Sequence, residues 1–368
     1  MKKPAILWVN TLFFLVTFLV AAIGVPYWAL SHGFSTGLLV AFALVFGYAG
    51  MSITAGYHRL WSHKTYQAHP ALRWLFALGG ALAIQNSILH WSSDHRVHHR
   101  HVDNNDIDPY SAGRGFWYSH IGWMLREYQA ERYDDYSNVR DLQKDPIVVF
   151  QHRHYLLLAL VMNLVLPLAI GLALGDVIGA VLLVGFMRIV LTHHTTFFIN
   201  SLAHIWGKRT YTDKHSAKDN GILAFLTFGE GYHNFHHTFE NDYRNGIRWY
   251  QFDPTKWLIR GAHALGLTSQ LRRTPEELIL KAKLTRQLEE SQAKAPAGAC
   301  LKELQHRYEE LVAAAQSYYQ LRKRWLQMKQ AKLKKDVEAL ALREQLDELK
   351  ASLRQQLSHW QQLRLQLA

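Results

Sequence analysis

Among 368 residues there is one cysteine, Cys300. A single thiol excludes an internal disulfide, a thiolate zinc site and a cysteine-ligated iron–sulfur cluster. There is no GxGxxG fingerprint, no CxxC pair and no fused haem-binding module, so the chain brings neither a nucleotide site nor an electron carrier of its own. Charge is nearly missing from four long apolar stretches, with Arg188 the main exception. That argues against a membrane metal-handling protein, which would need ionisable groups along a path. Proline is scarce, and 301–368 contains neither proline nor glycine, so nothing there breaks a helix.

Hydrophobic residues make up 49% of the chain. They concentrate in stretches at about 5–29, 36–57, 155–174 and 177–202, each near the ~20 residues that cross a bilayer as helix. The first has too long an apolar run for a cleaved signal, and another span follows at once. The net charge of +12 shows no pattern of basic residues interleaved with aromatics, so no nucleic-acid partner is expected. It reads instead as positive charge on the cytoplasmic side of the cell (inner) membrane. Met1-Lys2-Lys3 and the basic segments after the second and fourth spans then put both termini, and both hydrophilic regions, on that side. The segment Ala71 to Ile88 is apolar enough to pass for a fifth span. Gln85, Asn86 and Gly79-Gly80 instead predict an interfacial or re-entrant helix.

What the chain has in abundance is histidine, 22 in all. Three tight clusters abut apolar stretches: His58 and His63 in HRLWSH, His95, His98 and His99 in HRVHH, and His233, His236 and His237 in HNFHH. Neutral imidazole is the commonest side-chain metal ligand, and i, i+3, i+4 spacing gathers three rings on one helix face. His204, near the end of the fourth span, reaches the same boundary, and Asn200 lies one turn earlier on its face. Nine imidazoles fill two coordination spheres, which predicts a two-metal site beside lipid and oxygen chemistry on an acyl chain. Ahead of the tail the chain holds one Glu-x-x-His string, Glu230 to His233, so a carboxylate-bridged pair of metals is not expected. His90, His101, His120, His193 and His194 lie near the clusters and are read as supporting residues rather than ligands.

HRLWSH, HRVHH and HNFHH, in that order, resemble the three histidine boxes of the membrane fatty acyl desaturases. The match extends to DIDPYSAGRGFWYSHIGW at 106–123, NSLAH at 200–204 and GEGYHNFHH at 229–237, and is nearest to the acyl-CoA (stearoyl-CoA) Δ9-desaturases. The resemblance implies an all-α membrane domain over 1–275. Four transmembrane helices would carry a cytoplasmic helical cap (58–154 and 203–275) that holds a di-iron site. It implies the nine histidines as iron ligands, with Asn200 acting through water, and no separate acid–base residue. It also implies dioxygen as co-substrate, a saturated fatty acyl-CoA as substrate and electrons from a separate carrier and reductase, ferredoxin-like or cytochrome-like. Gln85, Trp91 and Thr196 match residues lining the bend of the acyl tunnel. Asn86 and Asp94 match residues near the polar head or the metal shell, and Phe46 and Gly50 mark where side-chain bulk sets acyl length. Ser93 and Glu127-Tyr128 stand where basic residues are common in the family, leaving Arg114 and Arg126 as candidates for the carrier's phosphates. An acyl group on membrane lipid and a hydroxylase on the same scaffold are the alternatives.

From about Glu276 the composition shifts to Leu, Gln, Lys, Glu and Ala. Residues 276–368 are expected to form a charged helical tail, interrupted at Ala295-Pro296-Ala297-Gly298. Leu301 to Ala368 would be nearly unbroken helix, ~100 Å long at 1.5 Å per residue. Leu301, Leu304, Tyr308, Leu311, Ala315 and Tyr318 follow 3-4 spacing, as do Leu346, Leu349 and Leu353, with Arg322-Lys323-Arg324 interrupting. The pattern suits a coiled coil, within the chain or between chains, or a helix lying on the membrane. Self-association through the tail is the corresponding partner expectation.

Overall fold

The computed structural model describes residues 4–295, 301–330 and 337–366. The lysines of Met1-Lys2-Lys3, the break at Pro296 to Gly298, and Cys300 lie outside the described residues. The chain is helical almost throughout and divides into two compact units. One runs to Arg209 and resumes over His215–Arg273; the other combines Thr210–Lys214 with the chain from Thr274 onward.

In the first unit four helices are long and apolar enough to cross a membrane: Trp8–Ser31, Thr36–Ser62, Tyr155–Leu174 and Val177–Ile205. We call them spans one to four; the protein is a multi-pass membrane protein. Span two begins where the Ser35 hydroxyl accepts from the Leu38 amide. It does not stop at Tyr57 as its apolar run does. It continues to Ser62 with i→i+5 hydrogen bonding, so the first histidine box rides on the helix end. Spans three and four form a hairpin through Gly175, whose φ of +74° suits glycine at a helix C-terminus.

The Ala71–Ile88 segment is not one straight helix. Helix Pro70–Ala83 ends at Ile84 (φ 51°), the chain turns, and helix Ile88–His101 leaves at 81° to the first, capped by the Ser87 hydroxyl. Gly79 and Gly80 let Pro70–Ala83 press against span two. A Cβ on either would lie 2.0 Å from Ser52 Oγ or from the Tyr57 ring. Buried Arg59 of span two then ties in the rest of the unit. Its guanidinium donates to Glu230 Oε1 at 2.8 Å and to the Tyr243 carbonyl at 2.9 Å, and lies 3.1 Å from Asp253 Oδ1 at the head of helix Pro254–Ala264.

The second unit contains helices Glu276–Lys294, Leu301–Gln330 and Val337–Gln366. They bury Leu284, Leu288, Leu304, Leu311, Ala315, Leu353 and Trp360 together. Trp360, near the end of the last helix, meets Tyr308, near the start of the middle one, and donates to Gln287 at 2.9 Å. These two helices are therefore antiparallel neighbours. The single ~100 Å rod expected from helix rise alone is corrected to a folded-back pair. The physical reason is that the 3-4 apolar stripes at 304–318 and 342–360 find each other within one chain.

Candidate metal centre and its cavity

Nine histidines converge in two groups. His58, His63, His95, His99 and His236 form one, and His98, His204, His233 and His237 the other. In each group the potential ligand atoms all lie within 4.8 Å of one another. Local geometry explains the grouping. His58 and His63, five residues apart, would diverge on an α-helix, but the i→i+5 winding stacks them: the His63 amide donates to the His58 carbonyl and the rings sit 4.9 Å apart. The other two boxes do not present three rings to one point. In HRVHH the i, i+4 pair His95 and His99 joins the first group and His98 the second. In HNFHH the division is reversed, with His233 and His237 in the second group and His236 in the first.

The ring nitrogens face inward. Nε2 of His236 is 2.9 Å from that of His58 and 3.0 Å from that of His99, and His63 and His95 meet at 2.8 Å. In the second group His233 meets His204 and His237, each at 3.1 Å, and His98 meets His237 at 3.3 Å. Four of the outer nitrogens lie against polar partners, while Nδ1 of His233 is buried without one among the described residues. Nδ1 of His58 lies 2.9 Å from Glu230, that of His98 2.9 Å from Asp108, that of His99 3.3 Å from Glu240, and that of His204 2.7 Å from the Ser216 hydroxyl. A neutral ring has one N–H. Spending it outward leaves an inward lone pair, and lone pairs facing each other near 3 Å are stable only around a cation. Burial, reinforced by the neighbouring imidazoles, holds His63, His95, His99, His233, His236 and His237 well below the ordinary histidine pKa. The rings therefore stay neutral, as ligands must. The donor set fits two metal ions that prefer imidazole, with no carboxylate between them: Glu230 faces His58, Arg59 and Asn245 rather than the centre of either group.

The fatty acid desaturase family model matches residues 35–269. The chain belongs to the fatty acid desaturase family. It is 44% identical over 263 residues to a probable acyl-CoA desaturase of Schizosaccharomyces pombe, covering 70% of this chain and 54% of that protein. It is 43% identical over 259 residues to acyl-CoA desaturase 1 of Saccharomyces cerevisiae, covering 70% and 50%. The chain thus spans about half the length of these two yeast relatives. The sn-2 palmitoyl-lipid 9-desaturase of Nostoc is 36% identical over 280 residues, 75% of this chain and 94% of that protein. Membership of this family and the histidine groups are together compatible with a di-iron centre.

Beside the histidines lies a cavity of about 1230 Å³. His58, His95, His98, His233 and Asn200 line it, as do Gln85, Asn86, Trp91, Asp94 and Thr196. Gln85 donates to the Thr196 hydroxyl at 2.8 Å, and Trp91 stacks on His95 with centroids 4.7 Å apart. Asp94 lies 3.4 Å from His90. Phe13, Phe14 and Ile53 give the wall its apolar part. Arg114 is not brought into this lining. Its guanidinium lies over the Tyr118 and Tyr128 rings, 3.8 and 4.6 Å from their centroids. Arg126 does line the cavity, as do Arg100, Arg132 and Arg153, which the sequence did not single out. Phe46 and Gly50 are also outside the lining. Phe228 packs on both, 5.4 Å from the Phe46 ring and where a Gly50 Cβ would be. Of the histidines read as supporting, His120 and His194 pair with each other at 3.0 Å, and His193 turns to backbone carbonyls.

Proposed function

We propose that this chain introduces a cis double bond, at Δ9, into a saturated fatty acyl chain carried on CoA, using dioxygen. The observation that carries the reading is the pair of inward-facing histidine groups on the wall of a partly apolar cavity of about 1230 Å³. In this reading His58, His63, His95, His99 and His236 hold one iron. His98, His204, His233 and His237 hold the other, with Asn200 reaching it through water. Bound iron would supply the oxidising power for removing hydrogen from an unactivated methylene. The chain's own residues do the rest. An acyl chain offers no polar handle, so position must supply selectivity: the turn at Ile84–Ser87, Trp91 and Thr196 aim two adjacent methylenes at the histidine groups. Asp108, Glu230, Glu240 and Ser216 keep the rings oriented through Nδ1. Two hydrogens leave the substrate with two electrons, two more electrons come from a separate carrier and reductase with two protons from solvent, and dioxygen leaves as two waters. Arginines 100, 126, 132 and 153 are the groups suited to the carrier's phosphates, in place of Arg114. We further assign the active site and both termini to the cytoplasmic side of the cell membrane.

Expression in a host lacking its own desaturase, with the electron donor verified, tests this by mass spectrometry of the fatty acids. A new Δ9 monoene, formed from acyl-CoA, is the expected product. An alcohol would make the enzyme a hydroxylase, a product made only on intact lipid would replace CoA as the carrier, and no product from iron-loaded protein would remove the oxidative reading altogether.

A further inference from the structure

The turn between the two bent helices is held from span four at the carbonyls of Leu82, Ala83 and Ile84, while the Asn86 amide donates to Tyr155 of span three and its carbonyl accepts from Tyr57 of span two. Helix Pro70–Ala83 ends inside the protein, where its last carbonyls have no helical partner. Arg188, fully buried and without any carboxylate beside it among the described residues, donates to the Leu82 carbonyl at 2.7 Å and to Asn163 Oδ1 of span three. His193, 3% exposed, directs Nε2 at the carbonyls of Ala83 and Ile84, both at 3.0 Å. A cation at a helix C-terminus is also where the helix dipole favours one. The next residue is Gln85, whose side chain bonds to Thr196, again on span four. Positions 188, 192, 196, 200 and 204 follow one another at i, i+4 spacing, each about 40° round the helix from the last, so the row winds across span four. Along this row lie the clamp on the turn (Arg188), the contact with Gln85 (Thr196), the cavity-lining Asn200 and His204 of the second histidine group. From Thr196 to His204 is eight residues, ~12 Å of helix rise.

We propose that Arg188 and His193 are positioning residues for regiochemistry: by holding the carbonyls of Leu82, Ala83 and Ile84 they fix Gln85 on span four and so set which methylene pair meets the metals. This rests on the desaturase reading above. A purely structural cap would alter protein yield and total turnover but not the place of the double bond.

The test expresses wild type, Arg188→Met, Arg188→Lys and His193→Leu in the desaturase-deficient host and maps double-bond position by mass spectrometry of disulfide adducts. Wild type is expected to give one positional isomer. In Arg188→Met and His193→Leu a displaced isomer should reach about a tenth of product or more, with total product down roughly 10-fold. Arg188→Lys, which keeps a donor and its charge, should restore most of the positional purity. A second readout needs no turnover: iron-loaded protein kept without a reductant should prefer cis-Δ9 over trans-Δ9 octadecenoyl-CoA, and the preference should collapse toward unity in the two disruptive variants. If Arg188→Met does not accumulate, His193→Leu decides. Unchanged isomer position together with unchanged cis preference in variants that accumulate would overturn the proposal. Absence of any product from wild type would instead overturn the desaturase reading, with the binding ratio still testing the clamp.

Discussion

Spans one and three differ from spans two and four in a way that hydropathy does not register. All four are apolar enough to cross a bilayer, but only 17% and 11% of the most apolar stretches of spans one and three are buried, against 44% and 50% for spans two and four. The outer pair presents Leu12, Leu15, Leu156, Leu160 and Leu164 outward. Segments of i→i+5 winding occur in span one as well as in the inner pair, but the inner pair alone carries metal-group histidines, His58 and His204, and buries Arg59 and Arg188. Apolarity builds the scaffold, while the irregular turns and the few buried polar groups build the site, consistent with polar groups in a membrane being costly unless partnered.

That contrast can be broken most severely at the metal groups. His98→Ala, which removes one of the four histidines of the second group, is expected to abolish monoene formation to the detection limit, while protein of normal fold accumulates. Retention of more than about a hundredth of wild-type product would detach His98 from the chemistry.

Acid should act on the same rings. Six of the metal-group histidines lie outside the spans with a pKa that burial depresses, and they are neutral when folded. The unfolded chain, with pKa near 6.5, then binds more protons than the folded one as the pH falls below about 6.5. Metal-free protein should therefore have a flat Tm above about pH 7 that drops on acidification. A Tm that rises as the pH falls from 7 to 5 would contradict the burial of neutral rings.

Arg59→Met should cost about 3–5 kcal/mol, because Glu230 and Asp253 would be left as buried charges without their cation. Equal thermal stability of variant and wild type in detergent would show that this network does not hold span two to the rest of its unit.

The smallest effects sharpen the comparison between spans. Gly80→Ala drives a methyl into the Tyr57 ring and should cost about 1–3 kcal/mol. Leu164→Ala, on the open face of span three, should stay within about 0.5 kcal/mol. Paired melting curves that reverse this order would remove the distinction between inner and outer spans.

Much of this was legible in the sequence because the signals are local. Apolar runs mark the spans, and the three histidine boxes with His204 name the members of both groups. What was illegible depends on winding or on distant partners. The i, i+5 spacing of His58 and His63 looks unfavourable until span two is seen to wind with i→i+5 bonds. Asp108, Glu230, Glu240 and Ser216 are ordinary polar residues until the fold puts each against an Nδ1, although Asp108 and Glu230 do lie within the strings that carry the family resemblance. Arg188 stood out only as a charge in an apolar run; its use appears with the carbonyl of Leu82, more than a hundred residues away. In the tail the 3-4 stripe was plain, but its periodicity is the same for one long rod and for a helix folded back on its neighbour.

The central claim is that two all-histidine groups each hold an iron. Purified wild type, His236→Ala and His233→Ala, reconstituted with ferrous iron without oxygen, would be assayed for iron per chain. The account predicts about two irons in wild type and a loss of roughly one in each variant, since His236 belongs to the first group and His233 to the second. A single iron in wild type, or iron content that neither substitution changes, would contradict it.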